Sequence, residues 1–287
     1  MSIYFDDGQN KLLHGNALDC LQELPDNSVR CCVTSPPYWR QISYGMAGEI
    51  GREGAYAYMA KLTRVFSEML RVLTANGTLW LNVGDKYIHG EVANIPHRLA
   101  EMLRHDGWRW ISTIVWNKSN PMPESIKTRP TKSHEYIFLM AKQRDHFYNY
   151  ADAKEPSGEW YSTKFDTPGR RKGKTGRLAA SGFGATRGIG THHPPGVRNT
   201  RNWRDVWVSS TAMSKLEHFA PFPLMIPERA IIAGSEPEDL VLDPFVGSGT
   251  TAVACLKHNR RFVGIDINET YLQMTLDRIG SFQHVAS

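Results

Sequence analysis

Along this chain, short apolar runs alternate with stretches in which apolar residues recur every three or four positions. Val29 to Thr34 is a run halted by Ser35-Pro36-Pro37, the pattern of a buried strand stopped by proline. Met59, Leu62, Phe66, Met69, Leu70 and Leu73 fall at helical spacing, and Asn76-Gly77 offers a stop for that helix. Further strands are predicted over 78–83, 110–116, 136–141, 240–242 and 262–265. Further helices are predicted over 96–105, 250–257 and 269–278. Strands alternating with helices argue for an α/β fold, a mostly parallel sheet covered on both faces. No internal repeat interrupts the pattern. The stretch from Pro168 to Gly196 differs, being rich in Gly, Arg and Lys and without a period. It reads either as a solvated or disordered insertion or as a segment that lies on nucleic acid.

Length and composition sharpen this picture in three ways. With 287 residues, 41% of them hydrophobic, the chain can bury one substantial α/β core and carry an appended segment. No run of about eighteen apolar residues suggests a membrane span, and the start lacks the basic-then-apolar pattern of a secretory signal. Cys20, Cys31, Cys32 and Cys255 fit neither a disulfide framework nor a zinc site, which favours buried free thiols in a reducing cytoplasm.

The formal net charge of +5 is by itself a weak pointer to nucleic acid, but its distribution says more. Between Ala151 and Lys215 stand twelve basic and five acidic side chains, a surplus of seven that exceeds that of the whole molecule. Phosphate neutralisation needs positive charge gathered on one surface. The organisation expected is therefore an α/β body formed by 1–150 and 216–287, with a basic segment at 151–215. Arg170, Arg171, Lys172, Lys174, Arg177 and Arg187 are its candidate nucleic-acid contacts.

Two strings carry the chemistry. The first is Thr34-Ser35-Pro36-Pro37-Tyr38-Trp39, and the second, about two hundred residues later, is Asp243-Pro244-Phe245-Val246-Gly247-Ser248-Gly249-Thr250-Thr251. Glycines in a strand-to-helix turn let backbone approach a ligand closely. The second string lacks the lysine with which a P-loop holds phosphate, so a nucleotide triphosphatase is disfavoured. Together, and in this order, the two strings resemble the amino-group DNA methyltransferases of the permuted β type. The supporting segments Asn82-Val83-Gly84-Asp85, Trp116-Asn117-Lys118-Ser119-Asn120, His134-Glu135 and Asn199 to Trp207 resemble that family too. The likeness covers nearly everything outside about 155–200.

The resemblance implies a doubly wound sheet of the S-adenosylmethionine-dependent methyltransferase type with an inserted target-recognition segment. It implies S-adenosylmethionine as cofactor, contacted by Asn16, Phe222, Pro223, Asp243, Pro244, Phe245, Gly247, Ser248, Gly249, Thr250 and Asp266. Asn16 stands where relatives commonly carry an acid, and Asp266 is the candidate for the ribose hydroxyls, or else a helix cap before Glu269. Asp85 is expected near the cofactor.

The catalytic residues implied are Ser35, Pro36, Pro37 and Tyr38. An exocyclic amino nitrogen is a poor nucleophile because its lone pair is delocalised into the ring. Acceptors that hold its hydrogens out of plane restore its reactivity, and Ser35 Oγ and the Pro36 carbonyl can serve. Tyr38 can stack on the base, and Trp39 either adds to that surface or packs under the loop. The base must leave the duplex to reach such a pocket.

Ser-Pro-Pro-Tyr is typical of family members acting on cytosine N4, and Asp-Pro-Pro-Tyr of those acting on adenine N6. The reading is thus a cytosine-N4 DNA methyltransferase, with adenine N6 or an inactive DNA-binding relative as alternatives. Cytosine C5 chemistry needs a cysteine nucleophile, and neither Cys31 nor Cys32 follows a proline. No metal is expected, since His134 and Glu135 have no third ligand in view. Double-stranded DNA is the implied partner, in a bacterial or phage-infected cytoplasm. A companion restriction endonuclease, and a monomer as against a homodimer, stay open.

Overall fold

The structure, a computed structural model, describes residues 1–41, 45–46, 48–156, 200–211 and 222–286. In chain order the first elements are β1 (Ser2–Asp6), β2 (Lys11–His14), α1 (Ala17–Gln22), β3 (Val29–Thr34), α2 (Ala55–Val72) and β4 (Leu73–Val83). A small hairpin, β5 (Tyr87–Ile88) and β6 (Glu91–Val92), leads to α3 (Ile95–His105), β7 (Arg109–Lys118) and β8 (His134–Ala141). Then come β9 (Lys154–Pro156), β10 (Thr200–Asn202), β11 (Val206–Ser209) and α4 (Met225–Gly234). The chain closes with β12 (Leu240–Asp243), α5 (Thr250–Lys257), β13 (Arg261–Asp266) and α6 (Glu269–Ala286).

Two compact units emerge, one made of Met1–Ala153 with Arg204–Ser287 and the other of Lys154–Trp203. The basic segment drawn from charge at 151–215 is wider than the second unit, because β11 pairs into the main sheet beside β7. Within the second unit, β9 and β10 form an antiparallel ribbon closed by an Arg201–Glu155 ion pair at 2.8 Å. The candidate DNA contacts Arg170, Arg171, Lys172, Lys174, Arg177 and Arg187 lie outside the described residues.

The first unit is built on nine strands in the order β1-β2-β13-β12-β3-β4-β8-β7-β11. Only β1 and β8 run against their neighbours; every other pairing in the sheet is parallel. One group of helices, α1 with α2 and α2 with α3, packs on one face, and α4, α5 and α6 pack as a second group. Residue alternation along β4 explains the two faces. Leu79, Leu81 and Val83 join the core under α1–α3. Trp80 points the other way and stacks on Trp207 of β11, whose ring in turn carries the Arg229 guanidinium of α4 at 5.1 Å. On α2 the buried stripe is Tyr58, Met59, Leu62, Val65, Phe66, Met69 and Val72, a helical period, and each such side chain stabilises by about 1.5–3 kcal/mol.

The sequence pattern carried α2 to Asn76-Gly77, but the helix stops at Val72. Leu73 is already extended, with ψ 141°, and pairs with Val29. Strand pairing takes the chain before the glycine can cap it, and Asn76-Gly77 lies inside β4.

Strand direction then decides where the chemistry sits. The carboxyl ends of β2, β13, β12, β3, β4, β7 and β11 all lie along one edge of the sheet, together with the amino end of antiparallel β8. Ligands of open parallel sheets bind in the crevice beyond those ends, where the order of connections reverses. Here β3 lies between β4 and β12, so the loops after β3 and β12 leave the sheet side by side.

Candidate functional site

A cavity open to solvent occupies that edge. Its wall is drawn from loops far apart in the chain: Asn16 after β2, Ser35 to Tyr38 after β3, Pro244 to Gly247 after β12, and Asp266 at the end of β13. Asn82, Lys118 and Glu135 reach it from β4, β7 and β8, and Thr211 and Phe222 from further along the chain. The two strings picked out in the sequence therefore open onto one cavity.

The glycine loop at the end of β12 is held from behind. Asp243 Oδ1 accepts from Thr34 Oγ at 2.6 Å and from the Phe245 N–H at 3.1 Å, while Oδ2 accepts from Thr251 Oγ at 2.6 Å. Burial raises this carboxyl to about 6 in spite of those hydrogen bonds. Asp243 thus ties β3, the loop and α5 together, and it does not line the cavity.

Ser248 and Gly249 also lie behind the wall. The Arg278 guanidinium donates to the Ser248 carbonyl at 2.7 Å. Gly249 has φ +81°, and a Cβ there would sit 2.6 Å from Thr275 Cγ2, so the position demands glycine twice over. Pro223 is likewise off the wall, whereas Phe222, Pro244, Phe245, Gly247 and Thr250 are on it. Of the eleven residues expected at the cofactor, these four (Asp243, Ser248, Gly249 and Pro223) shape or flank the loop without lining the cavity.

Asp266 closes the cavity's other side. Its Oδ2 accepts from the Gly247 N–H at 3.0 Å and its Oδ1 from the Asn268 N–H at 2.8 Å. The capping contact at the start of α6 comes from Asn268, whose Oδ1 accepts from the Thr270 N–H at 3.0 Å, so Asp266 is left to face the cavity. Burial raises Asp266 to about 6, against the pull of its backbone donors. An ionised carboxylate accepts about four hydrogen bonds, so capacity remains for a ligand's hydroxyls. Asn16 caps α1 through Oδ1, which accepts from the Leu18 N–H at 2.9 Å, and still lines the cavity. A carboxylate, an amide, the rings of Phe222, Phe245 and Tyr271, and a glycine turn of positive φ fit a nucleoside-bearing cofactor of S-adenosylmethionine's kind.

At the Ser35-to-Trp39 string the backbone is pinned from outside. Tyr58 Oη donates to the Pro37 carbonyl at 2.9 Å, and the Arg40 N–H donates to the Gly51 carbonyl at 2.7 Å. The Pro36 carbonyl accepts no hydrogen bond among the described residues. Tyr38 presents its ring to the cavity and is packed so tightly on Gly84 that a Cβ there would lie 2.7 Å from its Cε2. Its hydroxyl donates to Glu135 Oε2 at 2.7 Å and accepts from Asn82 Nδ2 at 2.7 Å. Burial, then the Glu135 charge, pushes the phenol well above its ordinary range. Lys118 pairs with Glu135 Oε1 and lies 4.7 Å from the centre of the Trp116 ring.

Trp39 takes the packing role. Its indole N–H donates to the Glu53 carbonyl at 2.7 Å, its ring lies against the core, and it does not line the cavity. Asp85 is not at the cavity either: its Oδ1 accepts from the N–H groups of Lys86 and Ile95, seating the first turn of α3. His134 makes its contact with the Tyr136 hydroxyl, at 3.1 Å, away from the wall. Cys31 and Cys32 are buried in β3, and burial pushes the Cys31 thiol up to about 12, so neither offers a thiolate.

Sequence reasoning missed Gln41, Glu49, Ile50, Ile267 and Tyr271 on the wall. Gln41, Glu49 and Ile50 follow the first string in the chain, Ile267 follows β13 and Tyr271 lies in the first turn of α6, and no motif marks them.

Comparison with known proteins bears on the family and the fold. The family model for N6/N4 methyltransferases, described as DNA methylase, matches residues 29–277. The type II methyltransferase M.Cfr9I of Citrobacter freundii is 36% identical over 298 residues, covering 93% of this chain and 87% of that one. The structure of the PvuII DNA methyltransferase, described as cytosine-N4-specific, superposes with a TM-score of 0.68 at 17% identity, covering 94% of this chain and 86% of that one. At that identity the likeness speaks for the fold. A DNA modification methylase of Thermus thermophilus, complexed with S-adenosyl-L-methionine and itself assigned only by inference, superposes with a TM-score of 0.63 at 25% identity, covering 95% and 94%.

Proposed function

The chain belongs to the N6/N4 DNA methylase family, and from that premise we propose that it methylates the N4 amino group of a cytosine flipped out of a specific site in double-stranded DNA. S-adenosylmethionine is the methyl donor, and it supplies an electrophilic methyl carbon on a positively charged sulfur. The observation that carries the reading is the opening of Ser35, Pro36 and Tyr38 onto the same cavity as Asp266 and the glycine loop. Asp266 accepts from the donor's ribose hydroxyls, and Phe222, Phe245 and Tyr271 exclude water around it. Type II relatives of similar length support a site-specific modification enzyme.

On the other side of the cavity, Ser35 Oγ accepts one amino hydrogen and the Pro36 carbonyl accepts the other. Held so, the amino nitrogen turns its lone pair out of the ring plane and toward the methyl carbon. Tyr38 supplies a ring face for the flipped base to stack on. The nitrogen forms the new N–C bond as the old C–S bond breaks, its pair staying on sulfur. A proton then leaves nitrogen for solvent. Positioning and fixed dipoles do this work without a covalent enzyme intermediate. The serine at position 35, where adenine enzymes of the family typically carry aspartate, supports cytosine.

The test is to methylate DNA with the purified protein, digest it to nucleosides, and separate them against N4-methyl, C5-methyl and N6-methyl standards. N4-methyldeoxycytidine is expected. N6-methyldeoxyadenosine as the sole product overturns the choice of base.

A further inference from the structure

A serine hydroxyl is an ambiguous partner for an amino group, since it can present either a lone pair or its own hydrogen. The hydrogen bonds behind Ser35 remove the ambiguity. Tyr38 Oη has one hydrogen, and Glu135 Oε2 takes it at 2.7 Å. The phenol stays protonated, because burial and the neighbouring carboxylate both push its ionisation up. Towards Ser35, 3.1 Å away, Tyr38 can therefore only accept, and Ser35 must donate.

Asn82 supports the same direction. Its Nδ2 lies 2.7 Å from Tyr38 Oη and 3.0 Å from Glu135 Oε2, which uses both hydrogens. Ser35 Oγ at 3.4 Å is left with little. Turning the amide over would set its oxygen against a carboxylate oxygen, so the nitrogen faces the network although Oδ1 finds no partner among the described residues. Ser35 lines the cavity with its one hydrogen committed to Tyr38, so what it offers there is a lone pair.

The geometry points to Glu135 as a positioning residue that, held by Lys118 and acting through Tyr38, turns the Ser35 hydroxyl so that it can only accept from the target amino group. The carboxylate supplies, two hydrogen bonds away, the negative charge that an aspartate at position 35 would carry itself. This inference rests on the reading of Ser35 as an acceptor for the exocyclic amine.

Glu135→Gln probes it with little change of shape. Lys118 demands an oxygen, so the new amide turns its nitrogen toward Tyr38 and toward the Asn82 amide, which then has to turn over. The Tyr38 hydroxyl loses its carboxylate acceptor, so Ser35 is no longer held as the donor and its hydrogen is free to swing toward the amine. Single-turnover methyl transfer is expected to fall about tenfold or more. Donor binding, read by calorimetry, is expected to stay within about threefold of the parent protein.

Tyr38→Phe breaks the same line. The double variant Tyr38→Phe with Glu135→Gln is expected to be no slower than the slower single, within about twofold, because both act through one connection. Losses that multiply in the double variant would mean that Glu135 touches the base on its own and would overturn the relay. Parallel loss of donor binding and rate in Glu135→Gln, with Tyr38→Phe nearly as fast as the parent, would make Glu135 structural and also overturn it. The nucleoside product of the parent protein, read in the same assay, tests the choice of cytosine separately, since the rate ratios hold for either amino-bearing base.

Discussion

Asp266 offers a sharp test of how the cofactor half of the cavity works. Its carboxyl is raised to about 6 by burial, and two backbone N–H donors already hold it in place. If the ribose hydroxyls donate to it, the donor binds the ionised form. One pH unit below the carboxyl's midpoint, roughly one molecule in ten is ionised, so S-adenosylmethionine affinity is expected to fall about tenfold from pH 7 to pH 5. Asp266→Asn removes the charge and turns one acceptor into a donor, which then faces either the Gly247 N–H or a ribose hydroxyl. Hydrogen bonds to a charged acceptor contribute about 1.5–3 kcal/mol each, so a loss of about 3 kcal/mol, on the order of a hundredfold in affinity, is expected. The affinity that remains should be flat between pH 5 and pH 7. Calorimetric titration of both proteins across that range reads all of this. A parent protein whose affinity ignores pH there, or a variant that keeps the slope, would refute the role given to Asp266.

Asp243 gives a stability counterpart. Its folded midpoint, about 6, lies above the ordinary 3.8, so the stability it contributes is complete below pH 4 and is lost as pH rises through 6, by about 3 kcal/mol. Asp243→Asn lacks that titration, so denaturant unfolding should show the variant gaining on the parent by about that amount between pH 4 and pH 7; a constant difference would contradict the raised midpoint. For the basic segment, neutralising Arg170, Arg171 and Lys172 together should weaken DNA binding and reduce the slope of log affinity against log salt by up to about 2.7. An unchanged slope would put the phosphate track elsewhere.

Much of the fold could be read from local pattern because the pattern has a local cause. Buried parallel strands must be short and apolar, and helices on them must show a stripe, so β3, β12, β13, α3 and α5 announced themselves. Those that did not are instructive. β1 is an edge strand of five residues none of which is fully buried, and its partner β2 is only four residues long. β11 has Val206 and Val208 exposed with Trp207 alone buried, a weak alternation that sat inside a segment defined by its charge. The end of α2 was misjudged because a strong local stop signal competed with a pairing to Val29, more than forty residues upstream, and such pairings leave no local trace.

The site shows the same division more sharply. A motif names residues that lie together in the chain but not which way each one faces. Asp243, Ser248 and Gly249 belong to the cofactor string and yet point inward, to Thr34, Arg278 and Thr275, because a loop that holds a ligand must itself be held. Conversely Glu135 and Lys118 come from segments whose sequence role was unspecific, and Glu135 meets both Tyr38 and Lys118 only because β8 runs antiparallel between β4 and β7. The order of the two strings along the chain does not affect this assembly. Thr34 and Asp243, about two hundred residues apart, share a hydrogen bond at the ends of adjacent strands, and that contact sets the loop after β3 beside the glycine loop after β12. What the chemistry requires is that β3 and β12 be neighbours and parallel, and the sheet satisfies this whichever strand is made first.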